Sequence, residues 1–170
     1  MRIQKKICLV GNDGVGKTSI VVRFTKGTFS NSYLVTLGVD FYEHTFSKPS
    51  AKSEKDDQLI IQIWDLASQI SFATMRSQYL SFSNFVIIVV DYNRITNEFI
   101  QPWIDDIRKH AGEDVPFLIA LNKTDILEPE NAEKIVKELE ARYNMKVFPT
   151  SAKTGDNIRE MFAYIANSLW

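Results

Sequence analysis

The feature that most constrains this chain is the octapeptide Gly11-Asn12-Asp13-Gly14-Val15-Gly16-Lys17-Thr18. It follows an apolar run, Ile7-Cys8-Leu9-Val10, and precedes a helical pattern with Ile20, Val21 and Phe24 on one face. Strand, glycine loop and helix in that order give the spacing G-x-x-x-x-G-K-[ST] its meaning as a phosphate site. The glycines admit backbone conformations in which successive N–H groups point inward at an anion. The helix that follows adds unpaired N–H donors and the positive end of its dipole. Lys17 is spaced to reach terminal phosphates, and the Thr18 hydroxyl is of the type that ligates Mg²⁺.

The remaining sequence reads as one domain over residues 1–170, with no repeat, low-complexity tract or linker. A hydrophobic share of 45% is enough for a core. A net charge of −1 supplies no basic field to gather nucleic acid or anionic lipid, so no nucleic-acid partner is expected. The single cysteine, Cys8, falls inside the first strand, where a small buried residue is expected, and it fits a reducing compartment. The first residues lack the apolar stretch of a signal peptide, and no apolar run approaches 18 residues.

Periodicity predicts strands over Lys6–Val10, Val39–Phe46, Gln58–Trp64, Phe85–Val90 and Val115–Leu121, with a short one at Val147 and Phe148. Helices are predicted over Lys17–Thr25 and Phe72–Leu80, around Phe99 to Ile107, after Pro129, and from Ile158 to Leu169. Pro102 is expected in the first turn of its helix, since deeper placement costs about 3 kcal/mol. Asn157 and Glu160 stand at capping-box spacing. Residues 27–38 read as a mobile loop, and Ser47–Asp57 as a solvated turn. His44 and His110 are isolated and carry no expected chemistry. Alternating strands and helices predict an α/β fold: a mostly parallel six-stranded sheet with helices on both faces. Ligands then bind beyond the carboxyl ends of the strands.

Two further motifs follow strands directly and so reach that edge. Asp65 ends the strand in Ile63-Trp64-Asp65, where a carboxylate can hold Mg²⁺ through water. Asn122-Lys123-Thr124-Asp125 follows Leu121. A carboxylate at Asp125 can accept both the N1–H and the exocyclic amine of guanine. Adenine offers no such pair, and would leave the carboxylate buried and unpaired.

With these motifs the chain resembles the Ras superfamily of small GTPases, in its Rab-like branch. The resemblance rests on Gly11 to Thr18, Thr36-Leu37-Gly38-Val39-Asp40-Phe41, Trp64-Asp65 with Gln69, Asn122 to Asp125, and Ser151-Ala152-Lys153. It implies GTP and GDP as ligands with Mg²⁺, and GTP hydrolysis that switches effector binding. It implies nucleotide contacts from Asp13, Gly14, Val15, Gly16, Lys17, Thr18 and Ser19, with Phe29 against the guanine and Tyr33 over the phosphates. Thr18, Thr36 and Asp65 would hold the metal, and Ser68 would contact the γ-phosphate. Asn122, Lys123, Asp125, Ser151, Ala152 and Lys153 would hold the base, and Gln69 would orient the attacking water. Residues 29–40 and 65–80 would form the switch. Phe41, Trp64 and Tyr79 match the aromatic triad that Rab proteins present to effectors, with exchange factors and activating proteins as further partners.

Three departures modify that expectation. Ser68 stands where the family carries glycine, and Ile70 where it carries an acid. A Cβ at Ser68 predicts slower or incomplete switching. Asp13 stands where a small or neutral residue is usual, and its charge near the γ-phosphate predicts poor hydrolysis. The sequence ends Asn167-Ser168-Leu169-Trp170, without the cysteines through which Rab-like proteins are prenylated. A cytoplasmic protein is expected, membrane-associated if a lipidated tail lies beyond this sequence. A GTP-binding scaffold with little hydrolysis stays open as an alternative; an ATP-using enzyme is disfavoured by Asp125 and Ala152.

Overall fold

The computed structural model describes residues 1–32, 36–51, 54–67 and 73–170. The chain runs β1 (Arg2–Val10), α1 (Lys17–Lys26), β2 (Val39–Lys48), β3 (Asp57–Leu66), α2 (Ala73–Leu80) and β4 (Phe85–Asp91). It continues as α3 (Asn97–His110), β5 (Phe117–Asn122), α4 (Pro129–Tyr143), β6 (Val147–Pro149) and α5 (Ile158–Leu169). The sheet order is β2-β3-β1-β4-β5-β6, with β2 antiparallel to β3 and every other pair parallel. This is the expected α/β sheet.

Each sheet face buries its own helices. One core joins Ile20 and Phe24 of α1 and Met161, Phe162 and Ile165 of α5 to Leu9, Ile61, Ile63 and Val89. The opposite core joins Leu80 of α2, Ile100, Trp103 and Ile107 of α3 and Leu139 of α4 to Val10, Ile88 and Leu121. β4 is buried at every position, as an apolar strand covered on both faces must be. Cys8 is buried in the second core, and burial pushes its thiol up to about 11. His44 lies on edge strand β2, and His110 is half-buried at the end of α3.

Several boundaries differ from the sequence expectation. β1 starts at Arg2 rather than Lys6, because its polar first half pairs with β3 from Arg2–Gln58 onward. β2 and β3 reach Lys48 and Asp57, which shortens the turn between them. Backbone pairing extends these elements where side-chain pattern fades. β5 begins at Phe117 rather than Val115, because Val115 belongs to a turn whose N–H donates to Gly112 O. Phe72, expected to open α2, lies outside the described residues. Pro102 is not in the first turn: α3 opens at Asn97, so the proline falls in the second turn. The buried stripe of Ile100, Trp103 and Ile107 offsets the lost hydrogen bond. The capping box at α5 does not form. Asn157 adopts a left-handed conformation, and its amide donates to Pro149 O instead.

Candidate nucleotide site

The loop between β1 and α1 lies at the carboxyl edge of the sheet, over the most buried strands. Gly16 caps α1 with φ 98°, a conformation that leaves the helix N–H groups facing the cavity above. The Lys17 ammonium donates to Gly11 O at 2.9 Å and Asn12 O at 3.0 Å. Burial pulls it down to about 8, against Asp65 and Asp13, which hold its charge. An anion beside it would restore that charge.

Thr18 forms the adjoining oxygen set. Its hydroxyl lies 2.8 Å from Thr36 Oγ1 and donates to Asp65 Oδ2. Asp65 is fully buried, and its Oδ1 has no hydrogen-bond partner among the described residues. Burial pushes the carboxyl up to about 6, although Thr18 and Lys17 pull the other way. A buried, half-satisfied carboxylate beside two hydroxyls is the donor chemistry of a hard cation such as Mg²⁺.

The base-loop residues converge on the other end of the same cavity. Asn122, at the end of β5, donates from Nδ2 to Val15 O at 2.9 Å and accepts the Ala152 N–H at 3.1 Å. One side chain thus ties the phosphate loop to the Ser151–Lys153 loop. Lys123 donates to Gly14 O at 2.6 Å and to Asp91 at 2.9 Å. Asp125 accepts the Ser151 hydroxyl at 2.7 Å, with the Lys153 ammonium 4.0 Å away.

These groups surround a cavity of about 470 Å³. Asp13, Gly14, Gly16, Lys17, Thr18, Ser19, Phe29, Thr36, Asn122, Lys123, Asp125, Ala152 and Lys153 line it. Val15, Asp65 and Ser151 do not. Val15 points into the core, Asp65 lies behind Thr18, and Ser151 lies behind Asp125. Tyr33, Ser68, Gln69 and Ile70 lie outside the described residues.

Sequence reading missed two supports. Asp91 is 2% exposed and holds Lys123 and Arg94. Arg23 donates to Ala152 O at 2.8 Å and Lys153 O at 2.5 Å, fixing the base loop to α1. Asp91 closes the apolar run of β4, a strand-end carboxylate like Asp65; Arg23 carries no local signal. Outside the cavity, Phe41 packs edge-on to Trp64 at 4.6 Å and Trp64 meets Tyr79 at 5.7 Å, so the three aromatics form one strip. Phe41 is 61% exposed. Among the described residues no helix is long and apolar enough to cross a membrane.

Comparison with known proteins gives the family. The chain matches the Ras family over residues 6–170. The Ras-related protein RAB1BV of Beta vulgaris is 35% identical over 171 residues, an alignment that covers 96% of this chain and 75% of that protein. This chain therefore belongs to the Ras superfamily of small GTPases, in the Rab-like branch of GTP-binding switches of vesicle traffic.

Proposed function

We propose that residues 1–170 form one guanine-nucleotide domain that binds GTP and GDP with Mg²⁺ in this cavity and hydrolyses GTP slowly. The observation that best supports the reading is the pairing of opposite ends. A lysine and helix N–H groups sit at one end, a hydroxyl-held carboxylate at the other, and Asn122 fastens the two. Loop amides and Lys17 bind the phosphates, with Tyr33 over them. Asp125 selects the base, Ser151 and Lys153 orient that carboxylate, the Ala152 N–H meets the purine carbonyl, and Phe29 packs on the ring. Thr18, Thr36 and Asp65 hold Mg²⁺, which when bound supplies charge neutralisation to the phosphates. Gln69 orients water, and Thr36 and Ser68 sense the γ-phosphate. Phe41, Trp64 and Tyr79, with the switch loops, receive effectors, exchange factors and activating proteins. The protein works in the cytoplasm, at a membrane where a lipidated tail follows this domain.

The alternative is a GTP-binding scaffold with little turnover, which Asp13 favours because it lines the cavity and faces Lys17. Single-turnover hydrolysis separates the readings. Asp13→Gly is expected to speed hydrolysis, and Ser68→Gly to speed it further. Equal rates in all three proteins would remove Asp13 and Ser68 as the cause. No phosphate release from the native chain would favour the scaffold. Bound nucleotide after purification, with ATP and GTP in competition, tests the ligand class; no preference for guanosine over adenosine nucleotides overturns the site.

A further inference from the structure

We propose that Trp103 is a positioning residue for the phosphate loop, and that Arg76 of α2 acts on nucleotide release through it. The proposal rests on the reading of the cavity as a guanine-nucleotide site.

Trp103 belongs to α3 and is 7% exposed, so composition alone assigns it to the core. Its two polar features are nevertheless used by different elements. The indole Nε1–H donates to Asn12 Oδ1 at 3.0 Å, inside the phosphate loop. The ring face carries the Arg76 guanidinium, whose Cζ lies 4.7 Å from the centroid. Asn12 is therefore held twice. Its side chain is fixed by Trp103, and its main-chain oxygen accepts the Lys17 ammonium at 3.0 Å. Losing the indole donor frees the residue on which the phosphate lysine rests.

The Arg76 end is less firmly held. Its Nη2 stands 3.8 Å from Asp106 Oδ2, and its Nε is buried with no hydrogen-bond partner among the described residues. An unsatisfied buried donor weakens the contact that buries it. A loosely held contact on a short helix is what an element with two arrangements requires. α2 follows β3, and so Asp65, by a short segment of chain. Arg76, Trp103 and Asn12 thus form one physical connection from that helix to the loop under the phosphates.

The test is the release rate of N-methylanthraniloyl-GDP, chased with excess GDP, beside the thermal midpoint of each protein. Trp103→Phe keeps an aromatic face, though a smaller one, and removes the donor. Release is expected to quicken about threefold to tenfold, the worth of one hydrogen bond. Arg76→Ala is expected to quicken it about twofold to fivefold, as loss of a cation–π contact does. Combined with Trp103→Phe, Arg76→Ala is expected to add nothing to the release rate, although it lowers the thermal midpoint equally in both backgrounds. A merely structural role predicts additive release instead. Asn12→Ala cuts the same bond from the other side, and serves should Trp103→Phe fail to fold. Unchanged release in Asn12→Ala and Trp103→Phe, or an Arg76→Ala effect that persists in either background, overturns the inference alone. A native chain that binds no GDP overturns the nucleotide site, and this inference with it.

Discussion

At the scale of single residues, the site depends on close approach as much as on charge. Gly16 sits where a Cβ would come within 2.3 Å of Asn122 Nδ2, at a φ of 98°. Asn122 cannot yield cheaply, because that amide already joins the phosphate loop to the base loop. Gly27, at φ 70°, has open space around its missing side chain. The two glycines share backbone strain and differ in steric consequence. Gly16→Ala is expected to weaken GDP binding by about 2 kcal/mol or more, close to thirtyfold, through the broken Asn122 bonds. Gly27→Ala is expected to lower stability while leaving affinity near that of the native chain; titration of GDP against both variants reads the difference. The glycine loop and the Asn122–Asp125 motif were legible in the sequence, because each puts its chemistry in consecutive residues. The Asn122 amide bond to Val15 was not, since its partner lies far away in the chain and only the fold joins them. Arg23 and Asp91 were illegible or nearly so for the same reason.

At the scale of elements, the strands were readable wherever burial on both faces made them apolar throughout, as in β4. They were misjudged at β1 and β2, where polar residues extend a strand held by backbone pairing. α3 shows how packing overrides local preference. Pro102 is exposed in its second turn, so its ring contributes little to the core while its missing N–H leaves the turn one hydrogen bond short. Pro102→Ala is therefore expected to stabilise the protein by about 1–3 kcal/mol, read as a higher urea midpoint with an unchanged slope. β2 carries a different liability. The His44 ring lies 4.5 Å from Phe24 and 4.9 Å from Phe46, joining the edge strand to α1. Desolvation there, and Arg159 secondarily, hold the imidazole below its ordinary value of 6.5. The folded state thus favours neutral histidine. Its contribution is present above pH 6.5 and is lost as pH falls through the lower folded value. Thermal midpoints are expected to fall below pH 6.5, and less steeply in His44→Phe; identical profiles would show that other groups set the acid limb.

At the scale of the whole molecule, the groups that a ligand would relieve gather beside one cavity at the carboxyl edge of the sheet. Among the described residues Asp65 Oδ1 has no partner, Asp65 is pushed up to about 6, and Lys17 is pulled down to about 8, all beside one cavity. Each is a charged group that burial penalises and that the other only partly offsets, and each would be relieved by the same event. A polyphosphate would pair Lys17, and a divalent cation held near Asp65 would neutralise that carboxylate. The fold is therefore expected to be more stable with ligand than without by an amount set by mass action. At a thousandfold excess over Kd, linkage gives about 4 kcal/mol. For a chain of 170 residues, that corresponds to a thermal midpoint raised by roughly 8–16 °C. GDP with Mg²⁺ is expected to produce the full rise, and GDP with EDTA a smaller one, because the phosphates then face Asp65 with no cation between them. ADP with Mg²⁺ is expected to produce almost none, since Asp125 would be buried without its two donors. Equal rises with and without Mg²⁺ would show that Asp65, Thr18 and Thr36 hold no metal, and equal rises for ADP and GDP would show that Asp125 does not read the base.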